Sequence, residues 1–360
     1  MNRGGAEVLL LDVLRNAAAH NIDALFVAFG GGDLEGDFSD QEFEFVRLPR
    51  KLPLDPSVVF GLRRLVKAKR VEIVHVQQPV EALHAFLATR GLDTKLVFNH
   101  PGWFQGEKNR LALRLMAPRF DSNIVVSEDT GDRLIEQCRL GARLNLELIP
   151  SAVDEKRLEC ATKNLRRELN LQGDDLLIGM IANFYPGVRK DHQTVCRAIA
   201  ALKQSCPNAH VVFVGGKLPG AEQIFDDCVR LCAELAIADR VHFVGKRADF
   251  PDVLNSLDLF LLSSFHEGLP VALIAAMIVG LPCVASDIAP HLEIGGGGKF
   301  VRLFKTGDAE SLAAVLLGLL GDRDARERLG SEGRRLALSE FSIGAYLTKL
   351  RQVYENLLRR

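Results

Sequence analysis

The segment Ser263-Ser264-Phe265-His266-Glu267-Gly268-Leu269-Pro270-Val271-Ala272-Leu273-Ile274-Ala275-Ala276-Met277 follows an apolar run, Leu257 to Leu262, and leads into a helical pattern that starts near Pro270. A short unbroken apolar run bounded by turn residues reads as a buried strand, and a proline at the head of a helical pattern marks its first turn. Strand, glycine-containing turn and helix N-terminus together present free backbone N–H groups and the positive end of a helix dipole. That arrangement suits a diphosphate.

The same alternation of strand and helix repeats in both directions from this segment. Strands are expected at 176–184, 210–215, 241–245, 257–263, 282–286 and 300–303, with helices such as 194–203, 222–235 and 311–320 between them. Upstream, strands are expected at 24–29, 43–48, 71–76, 96–100, 123–127 and 146–150, with helical patterns such as 7–19 and 110–116. Such alternation implies parallel sheets with helical crossovers. At 360 residues, 48% hydrophobic and 25% charged, the chain is too long for one ordinary core and fits two α/β domains. The polar stretch 154–175 reads as the boundary between them.

Composition excludes several classes of function. Lys and Arg total 45 against 46 Asp and Glu, so the net charge of -1 carries no nucleic-acid signature. Seven scattered cysteines fit reduced thiols of the cytosol. Cys228 and Cys232 lie four apart without a second ligand pair at metal spacing, and read as buried thiols rather than ligands. No apolar run reaches the ~20 residues of a membrane span, and no leader pattern opens the chain. A soluble or peripherally attached cytoplasmic protein is expected.

The segment at 263–277 resembles the signature of the family 4 retaining glycosyltransferases of the GT-B fold. In that signature Glu-Gly-x-Pro opens the helix and a second Glu follows at the eighth position after the first. Glu267 matches the first acid; the second position holds Ala275. The resemblance implies an α/β GT-B architecture, two Rossmann-like parallel-sheet domains facing a central cleft. Residues 1–155 would form the acceptor-side domain, joined by the closing helix of 343–360, and 172–342 the nucleotide-sugar domain. In the family the turn matching Asn2-Arg3-Gly4-Gly5-Ala6-Glu7 follows a central first strand, whereas this chain starts at the turn. Either its start lies upstream or the domain lacks that strand, which would leave backbone groups on both neighbours unpaired.

The resemblance also implies residue roles. The stretch Asn183-Phe184-Tyr185-Pro186-Gly187-Val188-Arg189-Lys190-Asp191-His192 carries Lys190 where the family stabilises the departing diphosphate, with Arg189 standing in for an arginine whose position holds Tyr185. Glu267 would address the donor sugar, and N–H groups in the stretch Gly268-Leu269-Pro270-Val271 would help hold the departing diphosphate, the proline itself having none. Gly245 and Arg247 match a loop that lines the nucleotide. His100, at a strand end, falls near the reacting sugar, and Gly4 and Gly5 open a helix that can hold phosphate oxygens. The missing acid at Ala275 leaves the ribose contact open.

Other features read more plainly. A basic turn accounts as well for Lys246, and Lys217 is a weaker strand-end signal. The run Gly30 to Gly36 breaks the dinucleotide fingerprint spacing and runs into acidic residues, while Gly295 to Gly298 lacks a following helix. The basic clusters Arg63, Arg64, Lys67, Lys69, Arg70 and Arg110, Arg114, Arg119 are solvated faces or contacts to anionic lipid. The implied reaction is transfer, with retention, from a nucleoside diphosphate sugar, a UDP-sugar foremost, to a glycan or lipid-linked acceptor, without metal or cofactor. A nucleotide-sugar-binding protein without catalysis and a GT-B nucleotide-sugar epimerase remain as alternatives.

Overall fold

A computed structural model describes residues 4–41, 43–102, 107–138, 144–159, 164–187 and 189–359. Of the residues quoted above, Asn2, Arg3 and Val188 lie outside them. The chain divides into two compact units, residues 1–153 with 342–360, and residues 154–341.

The second unit is built on β7 (Leu176–Ile181), β8 (Ala209–Val214), β9 (Val241–Gly245), β10 (Leu259–Leu262), β11 (Cys283–Ser286) and β12 (Arg302–Phe304). They form one sheet in the order β12-β11-β10-β7-β8-β9, parallel throughout. All four residues of β10 and of β11 are buried. A parallel sheet covered on both faces requires such unbroken apolar strands, which is why they stood out in the sequence. The chain runs outward from β7 to β9, then returns to the other side of β7 and runs outward through β10 to β12. The order therefore reverses between β7 and β10, where Leu259 pairs with Ile178 and Phe260 with Gly179. In open parallel sheets a crevice forms beyond the carboxyl ends of the two strands at such a switch.

The first unit holds β1 (Leu25–Ala28) paired with β2 (Glu44–Arg47), and a separate parallel sheet of β3 (Ile73–Val76), β4 (Lys95–His100), β5 (Ser122–Val125) and β6 (Leu146–Leu148) in that order. Among the described residues no strand joins β1 to β3. All twelve expected strands are present, most of them trimmed by one to three residues at their ends.

The last helix, Ile343–Leu358, belongs to the first unit. Its stripe of Ile343, Tyr346, Leu347, Leu350, Val353 and Leu357 packs in one core with Leu9, Val97, Ile124 and Ile149. The three- and four-residue spacing of that stripe is the apolar face of a surface helix. The Ile343 N–H donates to the Val153 carbonyl at 3.0 Å where the two crossing segments meet. The stretch after Val153 packs on the second unit. There the Leu165 N–H donates to Ser256 Oγ at 3.1 Å, and Arg166 pairs with Asp258 at 2.6 Å. Among the described residues no helix is long and apolar enough to cross a membrane.

Candidate active site

The loop after β7 and the loop after β10 are laced together at the switch point. The Asp191 N–H donates to the Ser263 carbonyl at 3.0 Å and the Phe265 N–H to the Arg189 carbonyl at 2.9 Å, with Lys190 and Ser264 bridged antiparallel between them. Asp191 also caps the helix His192–Ala201 through the Thr194 N–H, 3.0 Å away. The His192 ring, which follows, stacks on buried Phe184 at 3.8 Å. Lys190 thus sits on a backbone held at both ends, and its ammonium donates to Glu267 Oε1. The same oxygen accepts from Ser264 Oγ at 2.7 Å.

Both side chains are withdrawn from water, Lys190 to 10% and Glu267 to 5% exposure. Burial pushes the Glu267 carboxyl upward. The charge of Lys190 and the hydrogen bonds from Lys190 and Ser264 outweigh it, so Glu267 lies below its ordinary value and is ionised. Three residues on, Pro270 caps the helix Val271–Ile278. The first N–H groups of a helix have no partner within it. The site therefore combines an ammonium, a carboxylate and a helix N-terminus, which can hold an anionic group and orient hydroxyls beside it.

Three contributors here were not assigned from sequence. Ser264 was quoted without a role; Ser286 and His291 were not singled out. Ser286 Oγ accepts from the Ser264 N–H at 2.9 Å and donates to the Ser264 carbonyl at 2.7 Å. His291 is fully buried in the helix Ala289–Ile294, and its Nδ1 donates to the Ser286 carbonyl at 2.7 Å. Burial pushes His291 down to about 4, against the pull of Glu267, so it is neutral at neutral pH. No sequence signal marks Ser286 and His291, which reach the Glu267 loop only through the pairing of β11 with β10.

The other expected residues are spread more widely. Arg189 is exposed and its guanidinium lies over the Tyr185 ring at 4.6 Å. Gly245, with φ of 66°, ends β9 in the left-handed region open to glycine. Arg247 is held by two carboxylates, Asp249 at 2.5 Å and Glu168 at 2.7 Å, which push it above its ordinary value. Lys217 lies over the Phe225 ring at 4.4 Å.

In the first unit, His100 ends β4 with 1% exposure. Asn123 Nδ2 donates to the Ala117 carbonyl, so its Oδ1 faces His100 as an acceptor, and the imidazole carries its proton on Nε2, 3.0 Å away. Its Nδ1 is buried with no partner among the described residues, and burial lowers the ring to about 4. Gly4 precedes the helix Gly5–Ala17, but a carboxylate oxygen of Glu7 lies 2.7 Å from where a Cβ on Gly4 would stand. The turn is occupied by an acid. Gly296, Gly297 and Gly298 take positive φ in the turn after the helix Ala289–Ile294, at its carbonyl end. Cys232 and Cys196 pack with their sulfurs 3.5 Å apart, buried beside Cys228.

Comparisons with known proteins agree with this geometry. A family model described as Glycosyltransferase Family 4 matches residues 3–157, and one described as Glycosyl transferases group 1 matches residues 175–322. EpsD of Bacillus subtilis strain 168 is 26% identical over 85% of this chain and 82% of its own. A GDP-mannose-dependent monoacylated phosphatidylinositol monomannoside mannosyltransferase of Corynebacterium glutamicum is 24% identical over 86% and 84%. Among solved structures, Anabaena Alr3699/HepE in complex with UDP and glucose superposes with a TM-score of 0.83, at 20% identity, over 98% of this chain and 96% of that one. The fold is that of the GT-B glycosyltransferases. Within that class, the chain belongs to the family 4 glycosyltransferases.

Proposed function

We propose that this glycosyltransferase transfers a hexose from a UDP-sugar to a glycan or lipid-linked glycan, with retention of the anomeric configuration. The observation that carries the reading is the buried Lys190–Glu267 pair beside the N-terminus of Val271–Ile278, at the switch between β7 and β10. Lys190 would face the diphosphate as its negative charge grows, joined by Arg189 and the first N–H groups of the helix. Glu267 would orient the sugar hydroxyls. The bond from the anomeric carbon to the β-phosphate oxygen breaks while the acceptor oxygen bonds to the same face of the sugar, and the acceptor proton leaves on the departing phosphate. No protein base is required in this scheme, and the fixed cations do the work of a metal. Gly245 would line the nucleotide. Arg247 would need to exchange Glu168 or Asp249 to touch it, and Gly4 and Gly5 would need Glu7 to withdraw before receiving an anion.

UDP as donor nucleotide draws on the Anabaena neighbour, whose complex contains UDP and glucose, while the mannosyltransferase named above uses GDP-mannose. Incubation with UDP-glucose, UDP-galactose, UDP-N-acetylglucosamine and GDP-mannose, followed by nucleotide release and calorimetry, separates these cases. Binding of none of them would sink the reading, and GDP-mannose alone would change the donor. Retention is read from the anomeric proton coupling of the product.

Two basic patches of the first unit support peripheral contact with a lipid surface on which a lipid-linked acceptor would sit. Phe60, 69% exposed, lines a groove with Arg64 and Lys67, and on a second helix of the unit Leu111 and Leu115 stand exposed beside Arg110 and Arg114. Basic side chains around exposed apolar ones favour peripheral contact with anionic lipid. Co-sedimentation with vesicles containing phosphatidylglycerol but not with neutral ones is expected; equal recovery with both would remove the contact.

A further inference from the structure

Ser264 occupies a singular place in the second unit. Its backbone bridges Lys190, its hydroxyl donates to Glu267, and its own N–H and carbonyl are both engaged by one atom, Ser286 Oγ. A hydroxyl has one proton and two lone pairs, so donating to one backbone group and accepting from the other fixes its rotor. Ser286 closes β11, and His291 grips the carbonyl of the same residue through Nδ1. Ser264, Ser286 and His291 are each at most 0% exposed. The chain of contacts thus runs from the helix Ala289–Ile294 through Ser286 and Ser264 to the Glu267 carboxylate, without interruption by water-accessible groups.

We infer that Ser286, supported by His291, is a positioning residue for sugar recognition: it fixes Ser264 and through it the direction in which Glu267 presents its carboxylate. The inference rests on the reading of Glu267 as the sugar-orienting group. Oε1 is taken by Ser264 and Lys190, which directs the remaining capacity of the carboxylate toward the sugar hydroxyls. Rotating the Ser264 hydroxyl away releases Glu267 to follow Lys190 alone. The nucleotide, whose phosphates meet Lys190 and the helix N-terminus, is insensitive to that rotation.

The readout is the sugar increment, the ratio of the Kd for UDP to that for UDP-glucose, or for whichever nucleotide sugar of the panel above binds best, measured by calorimetry on the purified full chain. Ser286→Ala is expected to reduce the increment about tenfold while UDP affinity stays within about twofold, the scale of one charge-assisted hydrogen bond. Ser286→Thr, which keeps the hydroxyl on a strand, should restore it. In a Glu267→Gln background Ser286→Ala should have no further effect, because both changes act through one contact. Should Ser286→Ala fail to fold, Ser264→Ala, which removes the hydroxyl on Glu267, must show the same split. An unchanged increment, an equal loss for UDP and UDP-sugar, or a full additional loss in the Glu267→Gln background overturns the inference. If the unmodified protein binds UDP but these variants do not separate sugar from nucleotide, only the positioning role falls; if it binds no nucleotide at all, the proposed function falls first.

Discussion

The strand ends of the two units solve polar burial in opposite ways. In the second unit the ends of β7, β10 and β11 hold a buried ion pair, Lys190 with Glu267, cross-linked by two serines and backed by a neutral histidine. In the first unit the end of β4 holds only neutral groups, His100 and Asn99, with Asn123 behind them and one imidazole lone pair unpartnered among the described residues. Moving an ammonium and a carboxylate out of water is costly unless each satisfies the other, so removing either partner of such a pair leaves an expensive buried charge. Neutral acceptors cost less and can only orient. The second unit therefore keeps a buried charged pair at its strand ends, and the first a neutral imidazole.

The sharpest way to break that comparison is Lys190→Ala. If Lys190 faces the departing diphosphate as proposed, the loss of a single electrostatic donor, worth roughly 10²–10³ in rate, should lower turnover by that factor. It also strands the Glu267 carboxylate in a buried place, so thermal stability should drop as well. The double variant Lys190→Met with Glu267→Gln should recover stability and not turnover. Recovery of both would mean that the pair is structural.

Acid treats the two units alike, through their histidines. Burial lowers His75 and His100 in the first unit and His291 in the second to about 4, from an ordinary 6.5. A histidine held neutral in the folded state takes up its proton more readily when unfolded, so the unfolded chain binds more protons between those values. Stability is then full above about pH 6.5 and is lost progressively as pH falls toward 4, by up to a few kcal/mol for each group. Melting temperature against pH should show this slope, and His100→Asn should flatten it. A flat profile between pH 7 and 5 would contradict the neutral assignment.

His100→Ala tests the orienting role of the first unit. If Nδ1 meets the reacting sugar, transfer should fall roughly ten- to hundredfold while UDP affinity is unchanged, the range for a hydrogen bond to a group gaining charge. Equal losses in both would make His100 a packing residue against Phe98, whose ring lies 4.2 Å away.

How much of this was legible depends on how far apart the partners lie in the chain. The strands were legible because each parallel strand carries its own apolar signal. Lys190 and Glu267 were singled out because the stretches that hold them resemble the family signature, and the structure brings the two together as an ion pair. The serine clamp was not: Ser264 meets Ser286 only through the register of β10 on β11, Phe260 opposite Cys283. Arg247 is held by Asp249 two residues on, a local pairing the sequence allowed, and by Glu168, 79 residues away, which it did not; the turn at Gly4 looked open because nothing in two glycines says that Glu7 will fold back over them. Isolated side chains reveal residue types; their occupancy is a tertiary fact.

The smallest expected effect concerns Ala275, the position at which the resemblance to the family signature would put a second acid. Ala275 is fully buried in the helix Val271–Ile278, two residues past Leu273 and one turn past Val271, which is half-buried at the N-terminal end. A side chain on a helix leans toward the N-terminus, so a glutamate at 275 would extend past Val271 toward the same end of the helix as Glu267. Helix propensity changes little. Without nucleotide the new carboxylate would be short of partners, and Ala275→Glu should lower the melting temperature of the free protein. With a ribonucleotide present, the carboxylate could accept from two ribose hydroxyls, and UDP should bind about tenfold tighter, ~1.4 kcal/mol. The two effects have opposite signs and a common cause, so UDP should raise the melting temperature of the variant by more than that of the parent chain. Calorimetric titration and melting with and without UDP measure both. A variant that is destabilised and gains no affinity would show that the ribose lies elsewhere, and would leave the second unit with a phosphate and sugar site whose nucleoside is held by β9 and its loop instead.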